Sequence, residues 1–108
     1  MMRELKFRAY NIQKKEWDYF TLFQILNLQA GYSQQHDLNS WNEYTGLKDK
    51  NGKEIYEGDI VSFKVGKGMV AWDDGSAGFV VENELMAVVY FKETEVIGNI
   101  YEQADLLK

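Results

Sequence analysis

Five carboxylates in the middle and second half of the chain are the side chains best suited to acid–base chemistry or to binding Mg²⁺. They are Glu54, Glu57, Asp59, Asp73 and Asp74. Asp73 and Asp74 are adjacent in a predicted turn, where aspartate favours hydrogen bonds to its own backbone. Asp59 opens a predicted strand and can bond the turn before it, and the two glutamates flank a tyrosine and are expected to face water. Their spacing alone brings no two of them to a common site, so we assign no catalytic residue and expect no enzyme.

His36 is the only histidine in the chain. A general base needs a nucleophile and an orienting partner within reach, and Asp37 and Ser40 are close to it only in sequence. We therefore expect a solvated loop histidine. There is no cysteine, so a structural zinc site is not expected and disulfides are excluded.

Asp49, Asn51 and Gly52 look like a fragment of a calcium-binding loop. If Gly52 is placed at the invariant sixth position of an EF-hand loop, Leu47 and Gly58 fall at the first and twelfth positions. Neither side chain can coordinate calcium. The three residues therefore predict a hairpin turn, and no metal or cofactor is expected.

A basic group near the same turn is compatible with nucleic-acid binding. It consists of Lys48, Lys50 and Lys53, with Tyr44 and Tyr56 as aromatic rings on which bases could stack. Acidic residues interleave with the lysines, and the formal net charge of −5 repels phosphate. Nucleic-acid binding is therefore an alternative hypothesis, and a carboxylate-dependent enzyme is a second and weaker one.

The composition is that of an ordinary globular protein, with 108 residues, 45% of them hydrophobic and 27% charged. The length predicts a single domain over residues 1–108. No apolar run approaches the roughly 20 residues of a membrane span, and the first residues lack the apolar core of a signal peptide. We expect no membrane association and a location in the cytoplasm, where a chain without cysteine needs no disulfides.

The central stretch, residues 44–61, predicts a strand, a tight turn, a short hairpin arm, a second turn and a buried strand. Asn51 and Gly52 favour a type I′ turn, in which both central residues have positive φ. Residues 57–59 form the second turn. The turn positions expected to be structural are Gly46, Asn51, Gly52, Gly58 and Asp59.

Before this stretch, alternation over residues 4–10 predicts a strand, followed by a loop and a return strand over 17–22. Both faces of this return strand are apolar, so we expect both to be covered. Spacing over 23–30, with Gly31 behind it, predicts a short helix, and a continued strand is the rival interpretation. Residues 32–40 are polar and predict a flexible loop.

After it, short strands recur every 8 to 12 residues or so, which is typical of a small antiparallel barrel or sandwich of SH3-like character. Residues 66–68 and 73–76 are expected to turn the chain, residues 95–101 to form the last strand, and the final residues one helical turn. The run 85–91 is apolar on both faces and predicts a strand covered on both sides. The second cover is either the rest of the subunit or another copy in a homo-oligomer, with the 17–22 strand as the other candidate interface.

The segment Gly46 to Val61 resembles the signature of the YopX-like proteins of phages and prophages. The opening residues 2–10 and the closing residues 95–102 are similar to the same family, so the resemblance spans the chain. Two departures are mild: Tyr10 stands where the family often has Trp, and Gln103-Ala104 where it often has Asn-Pro. The resemblance implies a mostly β phage accessory protein without an established activity or catalytic residues. Our leading hypothesis is a non-catalytic module that binds a host or phage protein.

Overall fold

The computed structural model describes residues 5–26 and 35–107. It is mainly β, as predicted. The strands are β1 (Lys6–Asn11), β2 (Glu16–Thr21), β3 (Asn42–Lys48), β4 (Glu54–Tyr56), β5 (Asp59–Phe63), β6 (Gly66–Asp73), β7 (Gly78–Glu82) and β8 (Glu95–Asn99). The α-helices are α1 (Leu22–Leu26) and α2 (Ile100–Gln103), and short 3₁₀ turns lie at Leu38–Ser40, Phe91–Glu93 and Ala104–Leu107.

The strands form two antiparallel four-stranded sheets, with the orders β2-β1-β3-β4 and β7-β6-β5-β8. One of them is a half-barrel. The chain clusters into two compact units, Met1–Tyr44 and Thr45–Lys108. Each is described separately below, and the single domain over 1–108 stays a prediction. None of the helices that the structure describes is long and apolar enough to cross a membrane.

The first unit is built on the predicted N-terminal hairpin. β1 and β2 pair in register from Lys6 opposite Thr21 to Asn11 opposite Glu16. The prediction that residues 17–22 are covered on both faces is wrong for this subunit. Phe20 is buried, but Tyr19 on the opposite face is 55% exposed, because successive side chains point to opposite faces of a strand.

The residues after this hairpin bear on two further expectations, the short helix and the flexible loop. The predicted helix over 23–30 is present as α1, and residues 27–30 lie outside the described part, as do residues 32–34 of the predicted flexible loop. Residues 35–40 are tied to β1 by backbone hydrogen bonds. Ile12 N–H donates to Gln35 C=O at 2.8 Å, and Asp37 N–H donates to Tyr10 C=O at 3.0 Å.

The second unit opens with the predicted order of strands and turns. Gly46, Gly52 and Gly58 have φ of 85°, 82° and 87°. This is the left-handed region, which glycine enters without the steric cost of a Cβ atom. Asn51 is not among the non-glycine residues with positive φ, so the predicted type I′ turn is wrong. Gly52 N–H bonds Asp49 C=O at 3.0 Å, and only the glycine that closes this turn is left-handed, as in three-residue hairpin loops.

In the second sheet, β5 lies between β6 and β8, and β6 pairs with β7. The buried core of this unit contains Ile55, Val61, Val70 and Val81. The predicted turn at 66–68 is wrong, because the chain turns at residues 64–65 and residues 66–68 already belong to β6. Gly68 is required by packing, since a Cβ atom there would overlap Glu82 C=O and lie 2.6 Å from Val81 Cγ1.

The predicted strand over the apolar run 85–91 is also wrong. It forms no strand, and its last residue begins the 3₁₀ turn Phe91–Glu93. The predicted last strand is present as β8, and the predicted terminal helical turn is present as α2. The chain between β7 and β8 is therefore an irregular connection with an apolar sequence.

Candidate functional site

The carboxylates singled out in the sequence act separately, each within its own turn or strand. Asp59 is buried and accepts a hydrogen bond from Tyr56 N–H at 2.8 Å. Asp73 accepts from the Ser76 N–H at 2.9 Å and from the Ser76 hydroxyl at 2.7 Å. These bonds lower the pKa of Asp73. Asp74 accepts from the indole N–H of Trp72 at 2.8 Å.

Glu54 lies 3.4 Å from the Tyr56 hydroxyl, which donates to it, and Glu57 is half-buried in the turn before β5. Within residues 5–26 and 35–107, no three His, Asp or Glu side chains are grouped so that they could hold a metal ion. In the part of the chain that the structure describes, the five carboxylates therefore lie in turns and at strand ends, and the hydrogen bonds given for them are local.

In the basic group the lysines are exposed, whereas the two aromatic rings are buried. Lys48, Lys50 and Lys53 are exposed, and Lys50 Nζ lies 3.9 Å from Glu95 Oε1. Tyr44 is 4% exposed and Tyr56 is 2% exposed. A base stacks on an open ring face, and these two rings are packed inside the protein.

His36 is not a solvated loop residue, which corrects the expectation from the sequence. Its side chain is buried, and its Nε2 lies 2.9 Å from Asp18 Oδ2. The imidazole ring packs edge-on against Phe20, with ring centroids 5.5 Å apart, and lies 6.0 Å from the ring of Trp41. The partner is in β2, 18 positions away, so no local sequence signal could have identified it.

The connection between β7 and β8 in the second unit carries apolar side chains that are exposed instead of packed in the core. Four of the six residues in the 85–90 segment are large, apolar and exposed: Leu85 at 61%, Met86 at 90%, Val88 at 85% and Tyr90 at 68%. Single exposed apolar residues are ordinary on protein surfaces, but contiguous groups mark binding surfaces. We call these four side chains the exposed apolar surface.

Asn83 holds the start of this segment. Its side-chain carbonyl accepts from Ala87 N–H at 2.9 Å, and its side-chain amide donates to Ala87 C=O at 3.1 Å and to Val81 C=O at 3.0 Å. Met86 N–H donates to Asn83 C=O at 3.1 Å, and Met86 has φ of 51°. One side chain thus closes a turn in which Leu85 and Met86 are exposed.

Two features fix the end of the segment: alternate side chains pack against the core, and Thr94 makes hydrogen bonds to Phe91. Val89 and Phe91 pack against the core of the unit, whereas Val88 and Tyr90, which alternate with them along the chain, are exposed. Thr94 is fully buried, and both its N–H and its hydroxyl donate to Phe91 C=O, at 3.1 and 2.7 Å. The exposed apolar surface is therefore presented by backbone that is anchored on both sides, rather than by a loose loop.

The exposed apolar surface consists of aliphatic, thioether and aromatic side chains. The surface carries no charged side chain among its four members, and its one polar group is the Tyr90 hydroxyl. Tyrosine combines a large apolar ring with a polar tip and is enriched where proteins bind each other.

Comparisons with known proteins give a family match and a similar fold. Residues 6–108 match the family model described as YopX protein. Among solved structures, the crystal structure of protein EF1440 from Enterococcus faecalis is similar, with a TM-score of 0.60 and 24% sequence identity over 96% of this chain and 98% of that chain. At this identity the likeness shows the fold alone. No curated protein matches the chain.

Proposed function

The chain belongs to the YopX protein family, and from this premise we propose that it is a phage or prophage accessory protein that works by binding another protein. It carries out no catalysis in this proposal. We further propose that it acts in the cytoplasm of the bacterial host, a reducing compartment that suits a chain without cysteine.

The main support for the proposal is the exposed apolar surface. Burial of apolar area in a partner is favourable by about 25 cal/mol per Å², and Leu85, Met86, Val88 and Tyr90 are exposed within six consecutive residues. Their backbone is already ordered by Asn83 at one end and Thr94 at the other. A preorganised surface loses less conformational entropy when it binds, so more of the contact energy contributes to affinity.

The experiment compares three tagged proteins in host lysate, each with and without nuclease treatment: wild type, the double variant M86S/V88S, and I12S. Met86 and Val88 are 90% and 85% exposed, so replacing them leaves the fold intact. Ile12 is an exposed aliphatic residue of the first unit, at 53%, and I12S controls for loss of a surface apolar group elsewhere. Bound proteins are identified by mass spectrometry.

We expect a specific protein to be retained by wild type and I12S and lost by M86S/V88S. Identical recovery by all three proteins would overturn the assignment of the surface. Recovery that disappears after nuclease treatment would instead favour the nucleic-acid alternative, with Lys48, Lys50 and Lys53 as its contacts.

A further inference from the structure

We propose that Asn51 is a site of spontaneous covalent modification, at which the side-chain amide becomes aspartate or isoaspartate, and that Asp49 sets the rate. Residues 51 and 52 are the single Asn-Gly pair in the sequence, and both are exposed in the turn between β3 and β4. This turn is separate in sequence from the exposed apolar surface, so the modification does not depend on the proposed function.

The reaction requires only the chain and water. The backbone nitrogen of Gly52 attacks the side-chain carbonyl carbon, Cγ, of Asn51, and a bond forms between them. The bond from Cγ to the side-chain nitrogen breaks, and this nitrogen leaves as ammonia with the proton that Gly52 has lost. Water then opens the resulting five-membered imide at either of its two carbonyl carbons. One opening gives aspartate, and the other gives isoaspartate, in which the chain continues through Cγ.

The surroundings of the turn allow both steps once the turn is open. Glycine has no Cβ atom, so its backbone nitrogen is less hindered than that of any other residue. In the described part of the chain, a Cβ atom built on Gly52 would meet no atom beyond its chain neighbours within 4 Å. Asn51 is exposed to the water that opens the ring. The residue pair therefore reacts readily unless its conformation prevents it.

The conformation of the folded turn opposes ring closure. Gly52 N–H, whose proton must leave, donates to Asp49 C=O at 3.0 Å. This bond, with no positive φ at Lys50 or Asn51, defines a type I turn. In such a turn ψ of the second central residue is about 0°, whereas the ring requires the Gly52 nitrogen to rotate towards Cβ of Asn51. The turn must therefore open before the nitrogen can attack.

Asp49 holds the turn closed through both oxygens of its buried carboxylate. Its Oδ1 accepts hydrogen bonds from Asn51 N–H and Lys53 N–H, both at 2.9 Å, and its Oδ2 accepts from Val96 N–H of β8 at 2.9 Å. Rotation of the Asn51 backbone moves Lys53 N–H away from Oδ1, and hydrogen bonds to a charged acceptor are stronger than neutral ones. A reaction through an open state proceeds in proportion to the population of that state. Asp49 therefore slows the modification.

Isoaspartate changes the turn permanently. Its backbone is one carbon atom longer than that of asparagine, so the N–H groups after residue 51 no longer match the oxygens of Asp49. Lys50 N–H donates to Thr94 C=O at 2.9 Å, so the contact between the turn and residues 94–96 also depends on the shape of the turn. Loss of ammonia makes the step irreversible. The modified protein is therefore less stable than wild type.

The first test compares folded and unfolded wild type at mildly alkaline pH. Both samples are incubated and digested, mass spectrometry detects replacement of the amide NH₂ by OH, and chromatography separates the aspartate and isoaspartate peptides. We expect residue 51 to convert at least on the order of tenfold more slowly in the folded protein than in guanidinium chloride. Equal rates would overturn the protection by the turn, and no conversion in the unfolded chain would overturn the site.

The second test separates local opening of the turn from a general loss of stability. D49N weakens the bonds of the turn and is expected to raise the conversion rate of residue 51 in the folded protein on the order of tenfold. H36A is the matched control, because it leaves a space beside Phe20 and Trp41 in the first unit and does not alter the turn. An unchanged rate in D49N, or an equal increase in H36A, would overturn control by Asp49.

N51D tests the effect of the modification on the fold. It introduces the aspartate product without lengthening the backbone, so it should unfold at nearly the same denaturant concentration as wild type. The isoaspartate fraction, purified from incubated wild type, should unfold at a lower concentration. An isoaspartate fraction as stable as N51D would overturn the inferred damage to the turn.

Discussion

The side chain of Asp49 joins the turn between β3 and β4 to strand β8, because its Oδ2 accepts a hydrogen bond from Val96 N–H at 2.9 Å, across 47 positions. Its Oδ1 accepts from the N–H groups of Asn51 and Lys53, both at 2.9 Å. Burial raises the pKa of Asp49, but these three backbone donors, Val96 foremost, outweigh burial and lower the pKa below its ordinary value. One buried carboxylate therefore organises the turn that the sequence suggested as part of a calcium loop.

Replacement of this carboxylate by its amide is expected to destabilise the protein. D49N retains one acceptor oxygen but presents an amide group to backbone donors, so bonds to a charged acceptor are lost. We expect the free energy of unfolding in urea to fall by about 1.5–3 kcal/mol. D105N, at an exposed aspartate in the last 3₁₀ turn, is the control and should change it by less than about 0.5 kcal/mol. Equal stability of the two variants would contradict the role given to Asp49.

The free energy of unfolding is expected to depend on pH through Asp49 and Asp18. Burial raises the pKa of Asp18, but hydrogen bonds from Asn11 and His36 and the charge of Lys14 lower it overall. A carboxylate whose pKa is lower in the folded state contributes stability above its unfolded pKa, and this stability is lost as pH falls through the folded pKa.

The loss should therefore begin near the ordinary aspartate pKa of about 3.9 and grow below it. Urea unfolding between neutral pH and acid pH measures it. D49N should show a shallower decline than wild type, because one of the aspartates with a lowered pKa has been removed. A decline of the same steepness in D49N would mean that other groups cause the acid loss.

Substitution of His36 tests the buried contact in the first unit. H36A removes the imidazole that lies 2.9 Å from Asp18 Oδ2 and leaves a space beside Phe20 and Trp41. The free energy of unfolding is expected to fall by about 2–3 kcal/mol. H36Q keeps a donor for Asp18 in a side chain of similar length and should lose less. If H36A were as stable as wild type, the histidine would indeed behave as a solvated loop residue.

The conformation of Gly52 predicts a cost for any side chain at this position. Gly52 has φ of 82°, and a Cβ atom added there would meet no other atom within 4 Å, so G52A isolates the backbone effect. Left-handed backbone costs an L-residue about 1–2 kcal/mol, and thermal or urea unfolding should show a loss of that size. G75A is the control, because Gly75 has no positive φ and its nearest contact would be Asp73 Oδ2 at 3.5 Å. A similar loss in G75A would mean that the added methyl group itself, rather than the positive φ, is responsible, because the lower entropy of the unfolded chain stabilises a Gly→Ala variant.

Local patterns in the sequence predicted most of the elements. Alternation of apolar side chains identified β1, β5 and β8, and glycines identified the turns at Gly52 and Gly58, because these signals depend on neighbouring residues and on backbone sterics alone. Even here the turn type was wrong. Asn51 does not have the positive φ that its preference for type I′ turns suggests, because Asp49 bonds the N–H groups of Asn51 and Lys53 and sets the turn.

The sequence by itself therefore determined a mainly β chain, the order of its strands and the family to which it belongs. Only the tertiary structure decided that His36 is buried against Asp18, that Tyr44 and Tyr56 are packed inside, and that the 85–90 segment is exposed. The physical reason is the range of the interactions. An apolar run in the sequence predicts burial. Whether the run is buried depends on whether strands distant in the sequence pack against it. Here Asn83 and Thr94 hold the run outside a sheet, with alternate side chains pointing away from the core.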